Sequence, residues 1–126
     1  MFYQWQPPCD AAFIMLDHVA GGIERYMSLL GARQRAVASN IANADTPGYK
    51  TRDVDFRTEL RNLLQSGSPN TIEVPELPAR NDGNNVNLER EARLLSENAL
   101  RFNLASQLAR LEVRSVRSAL QEGRGV

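Results

Sequence analysis

The side chains that most often carry out catalysis are scarce in this chain, which has one histidine, His18, and one cysteine, Cys9. A nucleophile–histidine–acid arrangement would have to use His18. That residue lies in a helical pattern with no serine or cysteine at a catalytic spacing, so we interpret it as a surface or helix-packing residue. A lone cysteine excludes an intrachain disulfide, and one cysteine with one histidine argues against a zinc site. We therefore predict no catalytic and no metal-binding residues, and a protein that is not an enzyme.

Two polar segments also lack the pattern that ligand binding requires. Asp53-Val54-Asp55 has neither the glycine nor the terminal glutamate of a calcium loop, and we interpret Asp53 as a helix cap. Asn81-Asp82-Gly83-Asn84-Asn85 lacks the flanks of a phosphate loop and is typical of a turn before a helix. These segments predict no cofactor and no small-molecule substrate.

Composition and charge narrow the class of protein further. The 126 residues fit one domain, and 15 basic side chains balance 15 acidic ones, which disfavours nucleic acid as a partner. No apolar run approaches the roughly 18 residues of a membrane helix. The first Lys or Arg is Arg25, so the basic start of a secretory signal is missing. The sequence predicts a cytoplasmic protein, or one exported by a route that does not read such a signal.

The N-terminal part is predicted to hold an irregular extension and then a long helix. Pro7 and Pro8 oppose helix, so we treat residues 1–14 as an extension outside the working domain, with Met15 as an alternative start. From about Asp17 to Ala44 the apolar spacing is helical. Its stripe consists of Ile23, Tyr26, Met27, Leu30, Val37, Ile41 and Ala44. Three internal glycines, each costing up to about 1 kcal/mol relative to alanine, weaken this helix.

The middle of the chain is predicted to be short and mostly irregular. Thr46-Pro47-Gly48-Tyr49 places proline and glycine at the centre of a type II turn. Asp53 then begins a short helix, and prolines between residues 68 and 80 indicate an extended connector with at most one short strand. The apolar face of the short helix is Phe56, Leu60, Leu63 and Leu64, and Gly67 ends it.

The last helix carries the most regular pattern in the sequence. Asn87 is a favourable N-cap, and apolar residues then alternate steps of four and three, which is typical of coiled-coil packing. The series is Leu88, Ala92, Leu95, Ala99, Phe102, Ser106, Ala109, Val113, Val116 and Leu120. Leu104, Leu108 and Leu111 widen the apolar face, enough to contact more than one neighbour. The first helix is shorter and weaker, so other chains must cover the remainder. We predict that the isolated monomer is loosely folded and that its terminal helices become ordered on assembly.

These elements define the predicted fold class and domain organisation. The fold is mainly α, with long N- and C-terminal helices that pair as a coiled coil and a short helix with an irregular connector between them. Residues 15–126 form a single domain. Its parts are the N-terminal helix and turn start at 15–46, the turn, short helix and connector at 47–86, and the C-terminal helix at 87–122.

A specific motif lies where the first helix meets the turn. Two asparagines in an Asn-x-x-Asn spacing precede Thr-Pro-Gly-Tyr; the motif residues are Asn40, Ile41, Asn43, Thr46, Pro47, Gly48 and Tyr49. The segment closely resembles the signature of bacterial flagellar rod, hook and related axial proteins. The chain is too short for the large middle domain of hook and distal rod proteins, and residues 52–56, 82–87 and 100–108 are similar to those of a proximal rod protein. The resemblance covers about residues 15–121.

The resemblance implies a structural role in the flagellar basal body, where such proteins transmit motor torque and are required for motility. It implies export by the flagellar type III apparatus without a cleaved signal peptide, and a final place in the rod within the periplasmic space. The partners implied are copies of the chain itself, other rod proteins and the basal adaptor FliE. A cytoplasmic coiled-coil adaptor or chaperone is the alternative from another class, and it would not need the signature.

In this interpretation two sets of residues form helix–helix contacts within and between subunits. The first helix contributes Ile23, Tyr26, Leu30, Val37 and Ile41, and the last contributes Leu95, Ala99, Phe102, Ala109, Val113, Val116 and Leu120. Asn40 and Asn43 either fix the register of these helices or cap a helix end. Tyr49 either anchors on a neighbouring subunit or packs within its own.

Overall fold

The computed structural model describes residues 9–62 and 69–123. The chain folds into two long helices separated by a small ribbon and a short helix. In chain order the elements are α1 (Cys9–Ala42), β1 (Arg52–Val54), α2 (Phe56–Arg61), β2 (Thr71–Glu73) and α3 (Leu88–Glu122). The predicted mainly helical class, with long terminal helices that pair, is confirmed.

Helices α1 and α3 lie side by side and run antiparallel. They contain 34 and 35 residues, which at 1.5 Å per residue gives lengths of about 50 Å each. Near the end of α1, the Asn40 amide donates to Glu91 at the start of α3 over 3.0 Å. Midway along α1, the Leu30 carbonyl accepts from Asn98 over 3.0 Å. These two bonds fix both the direction and the register of the pair.

Helix α1 begins earlier than the sequence pattern predicted. It starts at Cys9, so the prediction that residues 1–14 are irregular is wrong for residues 9–14, while residues 1–8 lie outside the described part. No glycine or proline occurs between Pro8 and Gly21, and the helix-forming composition of that stretch carries the helix back to the end of the proline pair. The helix therefore extends well beyond the region that packs against the ribbon.

The N-cap of α2 is Asp55, and the prediction that Asp53 caps this helix is wrong by two residues. The Asp55 carboxylate accepts from the backbone N–H of Thr58 over 3.2 Å. Hydrogen bonds from the side chain and backbone of Thr58 lower the pKa of Asp55 below its ordinary value. Helix α2 ends at Arg61, so the predicted contacts of Leu63 and Leu64 and the stop at Gly67 lie outside the described residues.

A two-stranded ribbon holds the middle of the chain against α1. Strand β1 pairs antiparallel with β2, with Asp53 opposite Ile72 at the centre. Strand β2 agrees with the prediction of at most one short strand between residues 68 and 80, whereas β1 was not predicted because three residues are too few to show an alternating pattern. Val54 of β1 packs with Leu29 and Ala32 of α1 to form the apolar core.

The aromatic side chain of Phe56 connects α2 to both long helices. It packs against the small core and meets Tyr26 of α1 edge to face, with ring centroids 6.1 Å apart. The guanidinium groups of Arg33 and Arg101 lie 5.1 and 4.8 Å from its ring centroid. The ring thus has cations from α1 and α3 close to it, which favours a fixed position for α2.

The limits of α3 agree with the sequence prediction. Asn87 caps its start by accepting from the Arg90 backbone N–H over 3.0 Å, and Gly123 is its C-cap. Among residues 9–62 and 69–123, neither long helix is apolar enough over a sufficient length to span a membrane.

Candidate assembly interface and signature junction

The signature residues lie where α1 ends against the ribbon and the start of α3, a region we call the junction. It comprises residues 39–54 together with residues 80–91. The most buried polar side chains of the described chain, among them Asn40, Thr51, Asn84 and Glu91, all lie here. Burial of polar groups is costly unless each one is hydrogen-bonded, so their partners define the architecture of the region.

Asn40 is fully buried and ties three elements together. Its amide nitrogen donates to the carbonyl of Arg52 (2.7 Å) and to Glu91 (3.0 Å). Its amide oxygen accepts from the backbone N–H of Arg52 (3.0 Å) and from the hydroxyl of Tyr49 (3.2 Å). The side chain therefore pairs with Arg52 as a neighbouring strand would, and fixes the positions of β1 and α3 relative to α1.

Asn43 has the second of the two roles that the sequence left open. Its amide donates to the Ser39 carbonyl one turn earlier (2.8 Å), and its oxygen accepts from the Thr46 hydroxyl (3.2 Å). Both bonds stay within the end of α1 and the following turn. Of the two signature asparagines, Asn40 thus fixes register and Asn43 caps the helix end.

A chain of charges continues from Asn40 across the junction. Arg90 contacts the buried carboxylate of Glu91 over 2.6 Å and that of Asp53 over 2.8 Å. Arg33 of α1 lies 3.3 Å from Asp53 on the other side. Two cations and two anions therefore alternate between α1, β1 and α3. Because removing Arg90 would leave the fully buried Glu91 carboxylate without a cation, this arrangement favours one docking geometry.

The type II turn predicted at residues 46–49 is confirmed. The Tyr49 N–H donates to the Thr46 carbonyl over 3.3 Å, and Gly48 has φ +74°. The Gly48 N–H also donates to the Asp82 carbonyl over 2.9 Å, and Gly83 has φ +83°; a Cβ added to Gly83 would lie 3.5 Å from the Gly48 Cα. The two glycine turns therefore lie against each other, and the positive φ at each position favours glycine there.

Asn84 is the functional residue of the junction that sequence analysis missed. Its amide lies within 2.8–3.1 Å of the carbonyls of Asn43, Ala44 and Thr46, and its oxygen accepts from the Val86 N–H. Carbonyls at the end of a helix have no partner within the helix, and Asn84 supplies one from 38 residues or more away. The Asp-Gly-Asn-Asn run was correctly predicted to be a turn, but no local signal identifies which asparagine reaches the turn that follows α1.

The hydroxyl of Tyr49 bonds within its own subunit, which is one of the two roles predicted for this residue. That group donates to Asn40 and lies 3.1 Å from the Ser39 hydroxyl. The remaining signature residues are exposed on the outer side of the junction; they are Ile41, Thr46, Pro47 and Gly48.

The predicted helix–helix contact residues fall into three groups. Leu30 and Val37 are buried, while Ile23, Tyr26 and Ala109 are half-buried. The others are exposed on the single chain: Ile41, Leu95, Ala99, Phe102, Val113, Val116 and Leu120. The buried face of α3 consists instead of Glu91, Leu94, Asn98 and Ala105.

The register predicted for α3 is therefore wrong for the contact within the chain. The buried face lies about one residue before the apolar series, which corresponds to about 100° of rotation. The prediction did not include Glu91 and Asn98, because a pattern of apolar residues excludes polar ones. Both face α1 because α1 supplies hydrogen-bonding partners: Asn98 donates to the Leu30 carbonyl and to Gln34.

Beyond the junction the two long helices leave an apolar groove between them. It lies between the first half of α1 and the second half of α3 and has a volume of about 1180 Å³. Five of the predicted contact residues line it: Ile23, Ala109, Val113, Val116 and Leu120. The structure thus places these five residues on the walls of one groove.

Known proteins match both the signature and the whole chain. Residues 27–50, which include every signature residue, match the family model described as flagella basal body rod protein. The flagellar basal body rod protein FlgB of Escherichia coli K12 is 30% identical over 86% of this chain and 99% of its own length. This chain belongs to the FlgB family. FlgB of Aeromonas hydrophila is also 30% identical, over 81% of this chain, and FlgB of Yersinia ruckeri is 28% identical, over 86%.

Membership of the FlgB family makes the chain a structural protein of the flagellar basal-body rod and not an enzyme. The prediction of a structural protein of the flagellar rod is confirmed, and these relatives favour FlgB over the sibling rod protein FlgC. The alternative of a cytoplasmic adaptor or chaperone is replaced by this assignment. Within the chain, the family signature is the part that builds the junction.

Replacing Gly48 with valine in this FlgB-family chain should disturb the turn through its backbone alone. Among the described residues, nothing lies within 4 Å of the position of an added Cβ, so the cost comes from the positive φ and should be about 1–3 kcal/mol. Gly48→Asn, which tolerates positive φ better, should lose less. The measurements are urea unfolding of the purified variants and swimming of cells that carry them. Wild-type stability and swimming in Gly48→Val would contradict the role given to the turn.

Proposed function

We propose that this FlgB-family chain forms the proximal part of the rod by packing its two long helices against neighbouring subunits, and that it transmits motor torque in this way. The observation that supports this proposal is the apolar surface left uncovered on those helices. Many large hydrophobic side chains are exposed, most of them on the first half of α1 and along α3. A soluble monomer rarely leaves so much contiguous apolar surface in water.

The accessible surface of the chain is also too large for a compact monomer. It measures 9905 Å², whereas a folded monomer of 14.1 kDa exposes about 6700 Å². Part of this excess lies on the two long helices, where large apolar side chains are exposed. Neighbouring subunits that cover both sides of the helix pair would bury that part.

The exposed apolar residues of α3 lie on two sides of the helix. One side carries Leu95, Phe102 and Val113, and the other carries Leu100, Leu104 and Leu111. At about 100° per residue, the two sides are roughly opposite, and the face that packs on α1 lies between them. A helix that is apolar on three sides requires neighbours on three sides, as in the wall of a tube.

We further propose that the chain passes through the flagellar type III export apparatus without a cleaved signal peptide and takes its place in the periplasmic part of the rod. The basal adaptor FliE and the sibling rod proteins are the proposed partners besides further copies of the chain. The open arrangement of the helix ends supports this, because few contacts within the chain would have to break before export. In this proposal the isolated chain is loosely folded at these ends and becomes ordered on assembly.

Deletion of the gene followed by electron microscopy of purified basal bodies tests the proposed function. We expect membrane rings without rods and non-motile cells, with both restored by the wild-type gene. Complete rods and normal swimming in the deletion strain would overturn the proposal.

A further inference from the structure

The groove between the helix ends, described above, carries negative charge along its apolar walls. Its lining, among the described residues, includes Asp17, Glu24 and Glu112 and no lysine or arginine. One carboxylate oxygen of Glu112 is buried and accepts no hydrogen bond from the described residues. A buried carboxylate oxygen without a partner is costly, so the groove favours an occupant that is apolar in the middle and bears cations.

The outer side of α3 has that character. Leu100, Leu104, Leu108 and Leu111 follow one another at steps of four and three, and they are 48–71% exposed. We call these four residues the leucine stripe. Exposed arginines extend the same side of the helix: Arg93 lies seven residues before the stripe and Arg114 three residues after it. An apolar centre with a cation beyond each end is complementary to an acidic apolar groove.

The two surfaces also agree in length. The leucine stripe spans 11 residue steps of helix, or about 16 Å, and the α1 wall of the groove from Ile14 to Met27 spans 13 steps, or about 20 Å. A helix laid along the groove would therefore place all four leucines between its walls. This is the geometry in which an amphipathic helix binds a hydrophobic groove.

We propose that the leucine stripe of one copy of this chain occupies the groove of the next copy. The inference rests on the proposed function, since it names one contact through which subunits of the rod meet. The stripe and the groove are different surfaces on different sides of α3, so the contact is heterologous. A heterologous contact that does not close into a ring repeats to give an open helical array.

Two variants separate the surfaces, and their mixture tests the proposal. Val113→Glu places a charge in the groove, and Leu104→Glu places one in the stripe; both positions are about 60% exposed, so the helix itself should persist. We expect wild-type protein to form a ladder of oligomers as its concentration rises. Each variant alone should self-associate at least tenfold more weakly. An equimolar mixture should form a dimer that grows no further, because only one intact groove and one intact stripe remain.

Light scattering after size-exclusion chromatography measures these masses, with helical circular dichroism as a check on folding. Asn103→Glu, an exposed change beside the stripe, is the matched control and should associate like wild type. Leu120→Glu places a charge further along the α3 wall of the groove and should weaken self-association as Val113→Glu does. A wild-type chain that stays monomeric, or variants whose mixture does not pair, would overturn the proposal. If the deletion strain still lacks rods, the proposed function survives that result, and only this contact between copies is overturned.

Discussion

Asn40→Asp is expected to destabilise the folded chain by about 3–5 kcal/mol, which is a large fraction of the stability of a small domain. Aspartate has nearly the shape of asparagine but cannot donate the two hydrogen bonds that Asn40 makes to Arg52 and Glu91. It also places a second buried carboxylate next to that of Glu91, which is itself fully buried. The repulsion between the two carboxylates and the loss of a donor to the Arg52 carbonyl both act where α1, β1 and α3 meet.

Asn43→Asp provides the matched control for this change. It is the same chemical substitution three residues later, at a partly exposed position whose amide bonds only to the end of its own helix. A loss of no more than about 1 kcal/mol is expected there, from the lost bond and from a negative charge at a helix C-terminus. Urea unfolding followed by circular dichroism measures both. Equal losses in the two variants would mean that Asn40 does not hold the junction.

Phe102→Asp is expected to abolish rod assembly and swimming while the isolated chain keeps its fold. Phe102 is 42% exposed and lies on the apolar side of α3 that does not face α1, so a charge there costs little within the monomer. At an interface with a neighbouring subunit, the same charge would be buried without a partner. That cost is several kcal/mol for each contact, and it recurs at every copy in the rod.

Asn103→Asp is the control on the next residue, which lies about 100° further round the helix on a polar side. It should assemble and support swimming. Immunoblots of purified basal bodies and motility in soft agar compare the two strains. Detection of the Phe102→Asp protein in basal bodies at the wild-type level would show that this side of α3 faces no neighbour.

Local features of the fold followed from the sequence because their causes lie within a few residues. Proline restricts φ and glycine permits a positive φ, so the turn at residues 46–49 follows from four letters. Asn87 caps α3 by a bond to Arg90, three residues away, and the position of that helix was predicted within a residue at each end. The signature motif likewise indicated the family, because all of its residues lie in one short segment of the chain.

Contacts between distant residues could not be predicted in the same way. The three residues of β1 form a strand only because β2 lies beside them. Asp53 pairs with β2 and with two arginines, so the cap of α2 is Asp55 instead. Asn84 finds its partners in the turn after α1 only once the chain has turned back. Each case depends on a partner whose distance in sequence hides it from any local pattern.

The choice of the inner face of α3 was decided by tertiary structure alone. A leucine is apolar whichever way it points, so the sequence established that α3 is apolar on several sides but not which side packs on α1. The polar residues Glu91 and Asn98 determined this, because α1 offers the Asn40 amide to Glu91 and the Leu30 carbonyl to the amide nitrogen of Asn98. The sequence thus determined the helices, the turn and the family, and the buried polar contacts decided which apolar surfaces remain for neighbouring subunits.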